Sequence, residues 1–295
     1  LPEKQPPEFR PDSKLSSANN YEVFAEIYDE VMSAVPYDLW YDYLNFLYRY
    51  HGFEDPENIL ELACGTGEVM KRFLGYPGEN TKSDFIIGVD RSEYMLAQAR
   101  EKLASMNDNF LLVQQDIREL KLAREFDFIY SIFDSINYIT GKDGLESVFK
   151  GVYDHLKDDG VFIFDYNTCS RLQSIEEGVS NFYGHDFFCQ WQDEVIKEED
   201  IWRVELTINI DDREEIIYEQ HEEKAFPLEE VKSLLHKSGF DWIELYETPK
   251  LKKGREDSFR VHFMASSHKP PGLSPPGYLN AYLRWKMCKL KHLFF

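Results

Sequence analysis

The sequence predicts an α/β fold in which a mostly parallel sheet of seven strands carries helices on both faces. Two observations predict it. Short β-rich runs alternate with stretches of helical period along most of the chain. One of those runs, Asn58–Leu62, also leads through two closely spaced glycines into a helix-friendly segment, in "ELACGTGEVM" (61–70). Such a strand, glycine turn and helix places backbone N–H groups where a nucleotide-like cofactor can be gripped. The 295 residues, 43% hydrophobic and 15% aromatic, suffice for a large domain with an elaborated cap.

In chain order, residues 1–19 open with "LPEKQPPEFRPDSK", whose prolines and charges predict a flexible N-terminal arm. Tyr21 to His51 is dense in aromatics at helical spacing and is broken by Pro36, which predicts two helices. Strands are predicted at Asn58–Leu62, Phe85–Asp90, Phe110–Gln115, Phe126–Phe133 and Val161–Asp165. Among the helices between them, Ser92 is the expected N-cap of one that buries Met95, Leu96, Ala99 and Leu103. Another, Gly144–Leu156, gathers Leu145, Val148, Phe149, Val152 and Leu156 into one apolar stripe. From about residue 180 to 226 the period changes to two. In "IWRVELTINID" Trp202, Val204, Leu206, Ile208 and Ile210 share a face, and in the run before it Tyr183, His185, Phe187, Cys189, Trp191 and Val195 do. A three-stranded antiparallel β cap insertion is predicted there. A helix at Pro227–Ser238 and strands at Trp242–Tyr246 and Phe259–Ala265 return the chain to the main sheet, so that 20–179 and 227–268 form the core and 269–295 a basic tail.

The formal charge of −21 sets the average surface against nucleic acid backbones and anionic lipid, and points to a small-molecule partner. The four cysteines (Cys64, Cys169, Cys189, Cys288) show neither zinc spacing nor a C-x-x-C pair. With no apolar signal-like stretch and no run of about 20 apolar residues, the expected compartment is the cytoplasm, with no transmembrane segment.

The glycine turn narrows the cofactor. A dinucleotide fingerprint aligned on Gly65 and Gly67 needs a third glycine at position 70, where the chain has Met70, so an NAD-dependent oxidoreductase is the weaker alternative. The pattern Glu61, Ala63, Cys64, Gly65, Thr66, Gly67 resembles the class I S-adenosylmethionine-dependent methyltransferases, with Ala63 in place of the commoner glycine. "IIGVDRSEYM" and "LLVQQDIREL" continue the likeness, as do "FAEIYDEVM", "PYDLWYDYL" and "FDSINYI", which look like small bacterial methyltransferases. The resemblance spans residues 20 to 265 and implies a Rossmann-like sheet under an N-terminal helical lid. It implies S-adenosylmethionine as cofactor, with Asp90 on the ribose hydroxyls, Asp116 at the adenine amino group and Ile117 beside the ring. Tyr21, Tyr28, Trp40, Glu61, Ala63, Gly65, Gly67, Arg91, Met95 and Phe133 complete the implied cofactor site.

In such a reaction a nitrogen or oxygen nucleophile of a small-molecule acceptor attacks the sulfonium methyl in line, which positioning and desolvation can promote without an obligatory acid or base. His185 and His221 are candidate proton acceptors, with Tyr28 beside them. His185 is expected on the inner cap face and His221, within "EQHEEK", on a solvated strand. Asp134, Asp165 and Asn167 lack the spacing expected of a magnesium site, so no metal is predicted. A methyltransferase-like protein that binds the cofactor without turnover is a further alternative.

Overall fold

In the computed structural model the described residues are 15–75, 83–211, 213–270, 272 and 286. The central sheet has seven strands in the order β11-β12-β6-β5-β2-β3-β4. They are β2 (Asn58–Leu62), β3 (Phe85–Asp90), β4 (Phe110–Gln114), β5 (Phe126–Ser131), β6 (Leu156–Asn167), β11 (Trp242–Glu247) and β12 (Arg260–Ser266). β2 to β6 run parallel, while β12 lies antiparallel between β6 and β11. This is the predicted seven-stranded, mostly parallel arrangement.

Burial on both faces explains the near-continuous apolar strands. Along β6, Phe162 and Phe164 join one core with Leu145, Val148, Phe149 and Val152 of α5 (Lys142–His155) and with Val231 and Leu235 of α7 (Leu228–Ser238). The alternate residues Val161 and Ile163 join the opposite core with α2 (Tyr37–Tyr50), α3 (Glu68–Leu74) and α4 (Glu93–Leu103). α4 has Ser92 as its N-cap, the hydroxyl accepting from Met95 N at 3.2 Å. Met70 fills the space over Gly88 of β3, so the close helix–strand approach that a dinucleotide fingerprint obtains from a helix glycine is obtained here from a strand glycine.

A second sheet has the order β1-β10-β9-β8-β7, comprising β1 (Leu15–Ser17), β7 (Gly178–Tyr183), β8 (Phe187–Ile196), β9 (Ile201–Ile210) and β10 (Ile216–Lys224). The three strands predicted for 180–226 are thus four, beginning at Gly178. A further strand comes from the supposed arm, where Leu15–Ser17 pair in parallel with Ile216–Tyr218. Three residues are too short for a period to announce them. Residues 1–14 of that arm, and the tail at 271, 273–285 and 287–295, lie outside the described residues.

The face of the second sheet bearing Phe187, Cys189, Val204, Leu206 and Ile208 packs on Val23, Phe24, Ile27 and Val31 of and just before α1 (Phe24–Val31). α1 has no cap from its own N-terminal side chain. Its exposed amides are satisfied instead by Glu219 of β10, a fully buried carboxylate that accepts from Tyr21 N, Val23 N and Phe24 N at 2.8, 2.7 and 2.8 Å. A remote strand therefore fixes where α1 begins.

Candidate active site

The first cavity, of about 400 Å³, opens at the carboxyl ends of β2, β3 and β5, and it is reached by most of the residues singled out from sequence. Its floor is the turn after β2. Ala63, Gly65 and Gly67 have φ of 52°, 76° at Gly67, and 52° at Gly65, so the backbone coils through the left-handed region three times in five residues. Asp90, at the end of β3 and 8% exposed, holds that coil: Oδ2 accepts from Gly65 N and Oδ1 from Ser92 N, each at 2.8 Å. Burial pushes the Asp90 carboxyl up, against the pull of these amides. A Cβ at Gly65 would meet nothing within 4 Å, because that position faces the open cavity.

Glu61 is 4% exposed and accepts from the Tyr130 hydroxyl at 2.7 Å. Desolvation raises its pKa to about 8, and the Tyr130 bond only partly opposes this. Asp116 stands at the opposite rim, where it caps the 3₁₀ turn Ile117–Glu119 by accepting from Arg118 N at 2.9 Å. The Arg118 guanidinium hydrogen-bonds the same carboxylate and holds it below the usual range. Tyr21, Tyr28, Arg91, Met95, Ile117 and Phe133 line the rest.

Two expected members fall elsewhere. Trp40 lines a neighbouring cavity, where its ring packs 5.1 Å from Phe133 and 5.6 Å from His262. Gly67 is the N-cap of α3, and a Cβ there would press on Leu103 at 3.2 Å, so it serves helix packing and does not line the cavity. The resemblance implied that Trp40 lines the cofactor site, but its ring faces the neighbouring hollow.

The second cavity, of about 530 Å³, lies between α1, the start of α2, the inner face of the second sheet, the corner after β5 and the start of β12. Tyr21, Tyr28, Phe133 and Tyr138 line both cavities, and the remaining wall includes Phe24, Trp40, Trp191, Trp202, Asp134, His221, Glu223 and Arg260. At its polar end, Arg260 donates to Asp165 at 2.6 Å and to Asp134 at 2.5 Å, and Asn167 Nδ2 donates to Asp134 at 2.7 Å and to Glu223 at 2.9 Å. Phe133 and Asp134 both have positive φ, 60° and 53°, and Asp165 accepts from Asp134 N at 3.2 Å, which anchors this strained corner beside the cavities. The acids that raised a magnesium question are thus engaged with a guanidinium.

Both histidine expectations need correction. His185 sits in the hairpin turn between β7 and β8, with its side chain 80% exposed and Nε2 3.5 Å from Asp186. The alternation counted through residues 183 to 187 ran across that turn, which also leaves Tyr183 exposed. His221 is the reverse case. It is 4% exposed on the inner face of β10, with its ring 4.6 Å from that of Tyr21. Polar neighbours in "EQHEEK" suggested a wet strand, yet Glu219, His221 and Glu223 are its buried face. Sequence reasoning missed Glu223, Arg260 and Glu219, whose partners lie far along the chain; Tyr138 stands within the motif "FDSINYI" and could have been found there.

A model of the methyltransferase-domain family matches residues 59–160. The Bacillus subtilis (strain 168) protein YqeM, named as a methyltransferase, is 32% identical over 231 residues, which are 75% of this chain and 86% of that protein. The crystal structure of an S-adenosylmethionine-dependent methyltransferase from Clostridium acetobutylicum ATCC 824 is 29% identical, covers 83% of this chain and 98% of its own, and superposes with a TM-score of 0.69. A Streptomyces venezuelae protein named dTDP-3-amino-3,4,6-trideoxy-alpha-D-glucopyranose N,N-dimethyltransferase is 29% identical over 111 residues, 38% of this chain and 43% of that protein.

Proposed function

The chain belongs to the class I S-adenosylmethionine-dependent methyltransferases, and from that premise we propose that it transfers the methyl group to a nitrogen or oxygen of a small-molecule acceptor held in the second cavity. The observation that carries the proposal is the shared wall of Tyr21, Tyr28, Phe133 and Tyr138. Because the same four side chains border both cavities, molecules held in the two would lie next to one another, and in-line displacement needs the reacting ends brought together in this way.

The first cavity fits the cofactor in size and chemistry. Its volume of about 400 Å³ is in the range of small-molecule sites, and its acids are placed for a ligand bearing hydroxyls and a positive charge. We assign Asp90 to the ribose hydroxyls, since a carboxylate already oriented by Gly65 N and Ser92 N keeps lone pairs for two donors. Asp116 and Ile117 are assigned to the adenine, and Glu61 to the neighbourhood of the methionyl ammonium, whose charge would offset the cost of burying that carboxylate. When bound, the cofactor supplies an electrophilic methyl on a sulfonium, so the chain need only position and desolvate. Residues 20–179 and 227–268 then hold the cofactor, and 180–226 closes the acceptor cavity against residues of that core such as Phe24, Trp40 and Arg260.

Nitrogen acceptors gain support from the similarity to the Streptomyces venezuelae N,N-dimethyltransferase, which spans 38% of this chain. The test is transfer of label from methyl-labelled S-adenosylmethionine to a panel of small amines, alcohols and carboxylic acids. Labelled product from one class supports the reading; cofactor binding with no transfer to any class favours a protein that binds without turnover.

A further inference from the structure

Along β10, residues 219, 221 and 223 share the buried face, as the two-residue period of a strand requires. Glu219 is committed to the amides at the start of α1. His221 and Glu223, 4% and 5% exposed, line the second cavity. Around Glu223 the charges do not balance: Arg260 donates to Asp134 and Asp165, while Glu223 is reached only by Asn167, which bridges it to Asp134. Burial first, and the Asp134 charge second, push the Glu223 carboxyl well above the usual carboxylate range. A cation in this cavity would reverse that.

His221 is a second and independent sign of a ligand. Neither ring nitrogen has a hydrogen-bond partner among the described residues; Nε2 lies 3.3 Å from Glu219, but without hydrogen-bond alignment. A buried imidazole left in this state is costly unless something in the cavity bonds to it. The other groups facing it are the rings of Tyr21, Phe24 and Tyr138. Trp40, Trp191 and Trp202 complete the wall with surfaces that attract cations.

We propose that the second cavity selects an amine that enters as an ammonium ion, received by Glu223, with His221 hydrogen-bonded to a second polar group on the same molecule. This rests on the second cavity being the acceptor site. As the ammonium enters, the Glu223 carboxyl releases its own proton to solvent; the ammonium has no lone pair, so it then gives one proton to the resulting carboxylate. The freed nitrogen lone pair then forms the new N–C bond to the methyl as the S–C bond breaks with its electron pair left on sulfur. The positive charge lost from sulfur appears on the methylated nitrogen, which leaves, and Glu223 keeps its proton until the next ammonium enters. An alcohol of the same shape brings no charge to Glu223 and is disfavoured.

The test is calorimetric titration of cyclohexylamine and of cyclohexanol into the full chain saturated with S-adenosylhomocysteine, with Glu223→Gln beside the wild type. Binding of the amine at least tenfold tighter than the alcohol is expected, falling below a threefold preference in Glu223→Gln while S-adenosylhomocysteine affinity stays within twofold. Equal affinities in the wild type, or no binding of either probe, overturn the proposal, as does a preference that survives in Glu223→Gln. The wild-type comparison decides alone if the variant does not fold. Failure of S-adenosylhomocysteine to saturate the wild type would contradict the cofactor reading instead, so the two failures are distinct.

Discussion

The Tyr21 hydroxyl donates to the Tyr138 hydroxyl across 2.6 Å, and both rings line both cavities. Tyr21 precedes α1 and has a φ of 59°, its amide bonded to Glu219, whereas Tyr138 ends the 3₁₀ turn Ser135–Tyr138 beyond β5. Two segments 117 residues apart thus close one wall with one hydrogen bond. Burial pushes both phenols well above their ordinary pKa, so they stay protonated at neutral pH.

Tyr138→Phe removes that bond and keeps the ring. A neutral hydrogen bond is worth about 1 kcal/mol, so turnover of S-adenosylmethionine with a saturating acceptor should fall about fivefold. Steady-state kinetics of S-adenosylhomocysteine release reads it. Unchanged turnover would mean that the pair is not part of the working wall.

Glu61 gives a dependence on pH whose sign can be worked out. Its pKa is raised from 4.5 to about 8 in the folded chain, so the stability linked to its proton is present at low pH and is lost as pH rises through about 8. An ammonium beside it favours the ionised form, and cofactor uptake at neutral pH should therefore release about one proton. Calorimetry in buffers of different ionisation heat should find this release in the wild type and not in Glu61→Gln. Identical proton counts for the two would remove Glu61 from the cofactor site.

Gly88→Ala tests the packing that replaces the third glycine of a dinucleotide fold. Its Cβ would press on Met70 Sδ and come within 2.9 Å of Cys64 Sγ, and Met70, fully buried, has little room to yield. Urea unfolding should show a loss of about 1–3 kcal/mol. Combined with Met70→Ala, the loss should be smaller than the sum of the two single changes by at least about 1 kcal/mol. Additivity would contradict the contact.

Glu219→Ala leaves three amides at the start of α1 without their acceptor. Each buried unsatisfied group costs about 1–3 kcal/mol, so amide exchange over residues 21–31 should speed up by at least about tenfold relative to α5. Uniform exchange across the two helices would show that α1 is held by packing alone.

The sequence made the cofactor side legible because its signals are local. Asp90 ends β3, Asp116 stands two residues beyond β4, and Gly65 lies in the turn after β2, so neighbours in sequence suffice to place them. The second cavity was not legible. Glu223, Asp134 and Arg260 come from β10, the corner after β5 and β12, and no period of two or 3.6 brings them together. His185 was misplaced by a three-residue turn that shifts the alternation, and His221 by polar neighbours that face inward with it.

Isothermal titration of the chain with S-adenosylmethionine, S-adenosylhomocysteine and NAD, with Asp90→Ala as comparison, tests the central claim most directly. Asp90 holds both Gly65 N and Ser92 N at 2.8 Å, so its loss removes the carboxylate we assign to the ribose hydroxyls and loosens the turn at once. Binding of the first two ligands, weakened at least about fiftyfold in Asp90→Ala and absent for NAD, is the predicted result. Equal binding by wild type and Asp90→Ala, or preference for NAD, would contradict the account.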